Sequence, residues 1–170
     1  MNETLKSIRE RRSIRNFTNE NIDEEKIEKI LEAGRWAPSG KNNQPWKFKV
    51  VSNEEEKNQI ADCTHYSDVV KDSQVLILIY LDKDSMYDRT KDVQSIGACC
   101  QNMCLAAHSL GVGSVWNGEI LNHRDCIKEI IDRSESLELM ALLCFGYPAE
   151  GSSSTRLSLD EILINLTLSD

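Results

Sequence analysis

The sequence predicts one α+β domain of about five strands around a buried central helix. Three stretches carry that expectation. Val75-Leu76-Ile77-Leu78-Ile79-Tyr80-Leu81 is a continuous apolar run, the pattern of a strand covered on both faces. Trp46, Phe48 and Val50 alternate with Lys47 and Lys49, as in a half-buried strand. Residues 93–110 are apolar nearly all round a helical projection, which places that helix in a core or an interface.

The remaining elements follow in order. A first helix spans about residues 3–11, with Leu5 and Ile8 facing inward. Asp23 can cap a second, with Glu24 and Glu25 in its positive first turn and Ile22 stapled onto Ile27. Its buried stripe is Ile27, Ile30 and Leu31, and it ends near Gly34, before Pro38. After the strand at 46–50, Ser52 and Glu55 form a capping box for a third helix, to about Cys63. The central strand at 75–81 leads through a polar connection, 82–92, into the central helix. There Ile96, Cys100, Met103, Ala107 and Leu110 form one face, while Ala98, Cys99, Leu105 and Ala106 extend the apolar surface; Gly111 caps the end. Residues 112–116 are strand-like, 122–132 form a helix with Ile127, Ile130 and Ile131 inward, and 137–145 form a strand stopped by Gly146 and Pro148. Ser158 and Glu161 make another capping box, followed by a strand at 162–168. That last strand has no place inside a compact monomer, so it is expected on a partner's sheet edge.

The chain has 170 residues and no linker, repeat or low-complexity segment, so it forms a single domain over 1–170. The formal net charge of −8 argues against a nucleic-acid or anionic-lipid partner. No apolar run is long enough to span a membrane, and residues 1–6 lack the apolar stretch of a signal peptide; the expected compartment is the cytoplasm. Six cysteines, Cys63, Cys99, Cys100, Cys104, Cys126 and Cys144, form no C-x-x-C pair and are expected as buried thiols. Cys100, Cys104 and His108 share one helix face, but a lone helix offers poor tetrahedral geometry, so no metal site is expected.

Two segments carry the candidate chemistry. Arg9, Arg11, Arg12 and Arg15 cluster in an otherwise acidic chain, and Arg11-Arg12-Ser13-Ile14-Arg15 offers guanidinium and hydroxyl donors suited to a phosphate. Taken alone, the run equally fits a solvated charge cluster. In the loop at 37–46, Pro38 and Pro45 fix the path, Gly40 allows close backbone approach, and Ser39, Asn42, Asn43 and Gln44 supply donors and acceptors. Amide side chains match a heterocycle edge bearing C=O and N–H groups, although an ordinary helix-to-strand connection has the same composition.

Together, R-R-S-x-R and, some twenty residues on, A-P-S-x-x-N-x-Q-P-W resemble the nitroreductase family of FMN-dependent oxidoreductases. Residues 96–116, Phe145-Gly146-Tyr147-Pro148 and Arg156-Leu157 are similar to that family's central helix, closing strand and tail. The resemblance implies a mostly antiparallel sheet flanked by helices and a homodimer with FMN at its interface, the C-terminal strand exchanged between subunits. It implies that Arg11, Arg12, Ser13 and Arg156 hold the phosphate end, and that Arg15 reaches the pyrimidine side, where a cation stabilises reduced flavin. Pro38, Ser39 and Gly40 would come from the other subunit, with Asn42 and Gln44 shaping their loop. Trp116, Asn117, Gly118 and Glu119 would lie against the isoalloxazine, and backbone N–H groups of Gly118 or Glu119 would donate to N5. The implied activity is hydride transfer from NAD(P)H through FMN to an acceptor such as a nitroaromatic or a quinone, with no catalytic side chain. Reductive dehalogenation, flavin destruction and a non-catalytic flavin-binding module are the alternatives. Two departures stand out. Ser154 occupies a place where many relatives carry a second tail cation, and His65 and Asp68 stand nearest to an Asn and a Lys that some relatives use. His65 is read as a surface or core histidine rather than a substrate ligand.

Overall fold

A four-stranded antiparallel sheet organises the computed structural model, which describes residues 1–131 and 134–164. Its strands are β1 (Trp46–Val51), β2 (Val75–Asp82), β3 (Gly113–Asn117) and β4 (Leu137–Gly146), in the order β1-β2-β4-β3. The apolar run at 75–81 is thus a central strand, paired with β1 on one side and β4 on the other. Alternation along β2 sends Ile77, Ile79 and Leu81 to one face and Leu76, Leu78 and Tyr80 to the other. A register shift between Ile79 and Tyr80 keeps Leu139 of β4 on the face of Tyr80 and Leu142.

Helices α1 (Glu3–Glu10), α2 (Glu24–Arg35) and α5 (Arg89–Ser109) accompany the first face. Ile96, Cys99, Cys100, Met103, Cys104 and Ala107 of α5 are buried there, with Ile30 of α2. Helices α3 (Glu54–Ala61), α4 (Ser67–Asp72) and α6 (Arg124–Ile130) cover the second face, through Ile60, Ala61, Val70 and Ile127. Among the described residues no helix is long and apolar enough to cross a membrane.

Several boundaries differ from the sequence expectations, each for a local reason. Helix α5 begins at Arg89 because Asp88 accepts a hydrogen bond from the Lys91 amide; its polar first turn carries no hydrophobic signal. Helix α3 is capped one residue later than the Ser52–Glu55 box implies, with Asn53 accepting from the Glu56 amide. Asp23 precedes α2 without a side-chain cap bond. The helix expected at 122–132 is divided into a 3-10 turn, Glu119–His123, and α6. Ile130 and Ile131 are only half-buried. Gly111 has φ +74°, the left-handed geometry expected after α5.

Three expectations are corrected. Leu5 and Ile8 remain 54% and 51% exposed, because α1 packs mainly beside α5 at the margin of the fold. Cys63 and Cys126 are joined in a disulfide across α3 and α6, with Cys126 exposed, whereas Cys99, Cys100, Cys104 and Cys144 are buried free thiols. Burial pushes the Cys99 thiol up to about 12. Among the described residues the sheet has four hydrogen-bonded strands, where about five were expected in the chain. The Ser158–Glu161 capping box forms, but it opens the short α7 (Leu159–Ile162), and residues 165–168 of the expected strand lie outside the described residues.

The end of β4 sets the path of the N-terminal segment. Phe17 bridges Pro148, and a Cβ added to Gly146 would come 2.7 Å from the Phe17 ring. Gly146→Ala should therefore lower stability by about 1–3 kcal/mol through overpacking, read from urea unfolding midpoints. An unchanged midpoint would show that Phe17 moves aside freely.

Candidate functional site

On leaving α1, the arginine-rich run lies along the free edge of β3. Ser13 bridges Ser114 in parallel, and the Ile14 amide donates to the Ser114 carbonyl at 2.9 Å. This pairing divides the side chains between two clefts. Arg11, Arg12 and Ile14 border a groove of about 300 Å³ with Gly113 and Ser114. Arg15 borders a cleft of about 120 Å³ with Tyr66, Trp116, Asn117, Gly118 and Glu119.

These arginines lack acidic partners. Arg35 and Arg89 pair with Glu32 and Glu138. Among the described residues, no carboxylate pairs with Arg11, Arg12, Arg15 or Arg156. Arg12 Nη1 donates to the Arg9 and Arg11 carbonyls at 2.6 and 2.8 Å. Arg11 Nε is buried with no hydrogen-bond partner. A buried donor without an acceptor costs about 1–3 kcal/mol, so an anion that satisfies it is favoured. Arg156 sits on the exposed tail, donates to Ser154 Oγ and the Thr155 carbonyl, and does not border the Arg11–Arg12 groove.

The turn after β3 forms the wall of the smaller cleft. Trp116 is 42% exposed, while Asn117 is buried. Asn117 Oδ1 accepts from the Ile120 amide at 3.4 Å, which starts the 3-10 turn. Glu119 Oε2 accepts from the Thr64 hydroxyl. Glu119 Oε1 lies 2.8 Å from His123 Nε2 and 3.1 Å from His65 Nδ1. The Thr64 hydrogen bond first, and the two imidazoles after it, hold the Glu119 carboxyl below the usual range. Of the surface and core placements the sequence left open for His65, the structure shows the exposed one, with Glu119 as a partner.

The second segment is strained and anchored. Lys41, Asn42 and Gln44 have φ of 54°, 57° and 48°. Such backbone costs of the order of 1–3 kcal/mol per residue and persists only where its surroundings enforce it. The Gln44 amide donates to Ser39 Oγ at 3.0 Å, and the Asn42 amide to the Ser39 carbonyl at 3.1 Å. Asn43 Nδ2 reaches the Ser85 carbonyl at 3.0 Å and Asp92 Oδ1 at 2.9 Å. Asp92 Oδ2 accepts from the Tyr87 and Asp88 amides at 2.9 and 3.1 Å. A Cβ on Gly40 would lie 2.1 Å from the Tyr87 hydroxyl oxygen, so a larger residue there would displace the Tyr87 ring. Asp92 and Tyr87 were not among the expected site residues. Asp92 lies in what the sequence presents as a polar connection, and its burial depends on contacts distant in sequence. Pro38, Asn42 and Gln44 are exposed.

The two segments do not meet within one chain. The loop feeds β1 at one edge of the sheet, and Ser13 extends the opposite edge beyond β3. Four strand spacings separate them, about 19 Å. None of Pro38, Ser39, Gly40, Asn42 or Gln44 borders the clefts that hold the arginines.

Burial opposes the Asp92 charge, but the Asn43 amide and the Asp88 and Tyr87 N–H groups outweigh it and hold its carboxyl below the ordinary range. A lowered folded pKa means that the unfolded chain binds the proton more readily. The contribution is full above about pH 4 and is lost as pH falls through the folded value. Asp92→Ala strands several donors and should cost about 1–3 kcal/mol at pH 7, with the gap to wild type narrowing below about pH 4. Equal urea midpoints at pH 7 would remove Asp92 as the anchor.

The Nitroreductase family model matches residues 8–67 and 62–147. A Methanothermobacter thermautotrophicus protein named as an NADH dehydrogenase/NAD(P)H nitroreductase is 35% identical over 150 residues, 87% of this chain and 78% of its own. The NAD(P)H FMN reductase of Bacillus subtilis is 28% identical over 171 residues, 90% of this chain and 69% of its own. A Desulfovibrio desulfuricans nitroreductase crystallised in complex with FMN superposes with a TM-score of 0.96 at 41% identity, covering 99% of both chains. The chain belongs to the nitroreductase family.

Proposed function

We propose that this protein is an FMN-dependent oxidoreductase that carries reducing equivalents from NAD(P)H to an acceptor such as a nitroaromatic or a quinone. One observation carries the reading: along the β3 edge of a chain of net charge −8, Arg15 borders the cleft walled by Trp116–Glu119 and Arg11 and Arg12 border the second groove, none of the three has an acidic partner among the described residues, and Arg11 Nε is buried unsatisfied. Those residues fit an anionic, aromatic ligand. The solved relative bound to FMN supports flavin as that ligand.

When bound, FMN supplies the electron-transfer chemistry, and the protein's task is to bind and orient. Arg11, Arg12 and Ser13 hold the phosphate end, with Arg156 brought in from the tail. Arg15 supplies positive charge where negative charge grows on reduction. Trp116, Asn117, Gly118 and Glu119 pack along the ring. Pro38, Ser39 and Gly40 approach from a second subunit, on a loop shaped by Asn42 and Gln44. The connection from β2 to α5 spans only residues 83–88, too short for a lid, which supports an open site and several acceptors. Use of NAD(P)H supports a cytoplasmic location.

The separation of the two segments at opposite sheet edges supports a homodimer. The apolar surface supports it. A groove of about 450 Å³ between α1, α2 and α5 is lined by Ala33, Trp36, Leu105 and Ala106, and Trp36 is 73% exposed. Leu157, Leu159 and Ile162 are exposed on the tail. Exposed surface of this kind marks an interface.

Anaerobic stopped-flow mixing of the FMN-loaded protein with NADH or NADPH should bleach the flavin absorbance. If neither coenzyme does so, the oxidoreductase reading fails. Arg11→Ala should weaken FMN binding by about 1.5–3 kcal/mol, roughly 10- to 150-fold, and unchanged affinity would remove Arg11 from the site. Sedimentation should show a dimer; a monomer that binds FMN at full affinity would overturn the shared site.

A further inference from the structure

Two of the chain's three histidines converge on one carboxylate oxygen. His65 Nδ1 and His123 Nε2 lie 3.1 and 2.8 Å from Glu119 Oε1, and all three ligand atoms are within 4.8 Å of one another. The imidazole rings meet edge to face, with centroids 5.5 Å apart. We propose that His65, Glu119 and His123 form a binding site for a divalent transition-metal cation, Zn²⁺ in the first instance.

The chemistry of the donors selects this class of ion. Two imidazole nitrogens and one carboxylate oxygen are the borderline ligands that Zn²⁺ and its neighbours prefer, unlike the all-oxygen sets of Ca²⁺ or Mg²⁺. Metal–ligand bonds of 2.0–2.2 Å in tetrahedral array place donors about 3.4 Å apart. The two distances to Glu119 Oε1 are shorter than this and the three ligand atoms lie within 4.8 Å of one another, so an ion is accommodated by a shift of the exposed His65 ring that opens the contact with Glu119 and sets its nitrogen at tetrahedral distance from that of His123. Three protein ligands leave a fourth position for water.

The surroundings hold the ligands in place. The Thr64 hydroxyl donates to Glu119 Oε2, which leaves Oε1 turned toward both imidazoles. A second carboxylate oxygen fixed in this way is the usual support of a metal ligand. The Cys63–Cys126 disulfide joins the two ligand-bearing segments, two residues before His65 and three after His123. Glu119 and Tyr66 also line the cleft beside Arg15, so an ion here would fasten residues 64–66 to one wall of that cleft. The site does not depend on the flavin reading, because every ligand and support belongs to this chain.

The test is isothermal titration of ZnCl₂ into the tag-free protein as purified, without reductant, with CoCl₂ as the spectroscopic probe. Wild type should bind one Zn²⁺, and Co²⁺ should give visible d–d bands typical of four-coordination. His65→Ala lies at an exposed position, so folding is retained; it and His123→Ala should each weaken Zn²⁺ binding by about 10- to 100-fold or more, and Thr64→Ala by about 10- to 100-fold. No binding by wild type, or the same affinity in the His65→Ala, His123→Ala double variant, overturns the proposal. Persistence of binding in that double variant would assign the metal to other groups. FMN affinity measured on the same variants reads the flavin site separately.

Discussion

Burial of β2 on both faces is the constraint from which the rest of the molecule follows. Its residues from Val75 to Leu81 are buried, and each large aliphatic side chain removed from water contributes about 1.5–3 kcal/mol. Such a strand must be central, so β1 and β4 flank it and layers of helices cover both faces. With β2 fixed, β1 and β3 become the edges. The loop before β1 and the arginine run beside β3 are then held at opposite sides of the sheet. A ligand served by both segments must be served by two chains. The proposed shared site thus rests on strand order.

Electrostatics distinguish the β3 edge from the rest of the surface. The chain carries a net charge of −8, and cations elsewhere, such as Arg35 and Arg89, meet carboxylates. Among the described residues, Arg11, Arg12 and Arg15 do not. Pairing along Ser114 holds their backbone in a fixed path, so the cost of ordering them is met by folding and not by ligand binding. The result is a positive edge ready for an anion, on a protein whose overall charge would repel one.

The opposite edge stores strain. Three left-handed residues, Lys41, Asn42 and Gln44, are kept in place by Asn43, which is bonded to the buried Asp92. Asp92 also gathers the Tyr87 and Asp88 amides at the start of α5. One carboxylate therefore ties the loop at 39–44 to the most buried helix of the fold. The exposed side chains of Pro38, Asn42 and Gln44 are presented by a rigid base, as loops that bind ligands usually are.

The sequence by itself determined whatever depends on local pattern. The apolar run of β2, the alternation of β1, the all-round apolar α5 and the left-handed Gly111 were legible because period, propensity and turn chemistry act over a few residues. The family was legible for a related reason, since the arginine run and the Pro-Ser-Gly loop carry their own donors and backbone constraints. Only the tertiary structure decided which residues meet across the chain. Nothing local tells that Asp92 anchors Asn43, that Cys63 joins Cys126, or that His65 and His123 close on Glu119. Nor does local pattern tell that Leu5 and Ile8 remain uncovered, because burial depends on what packs above a face and not on the face alone.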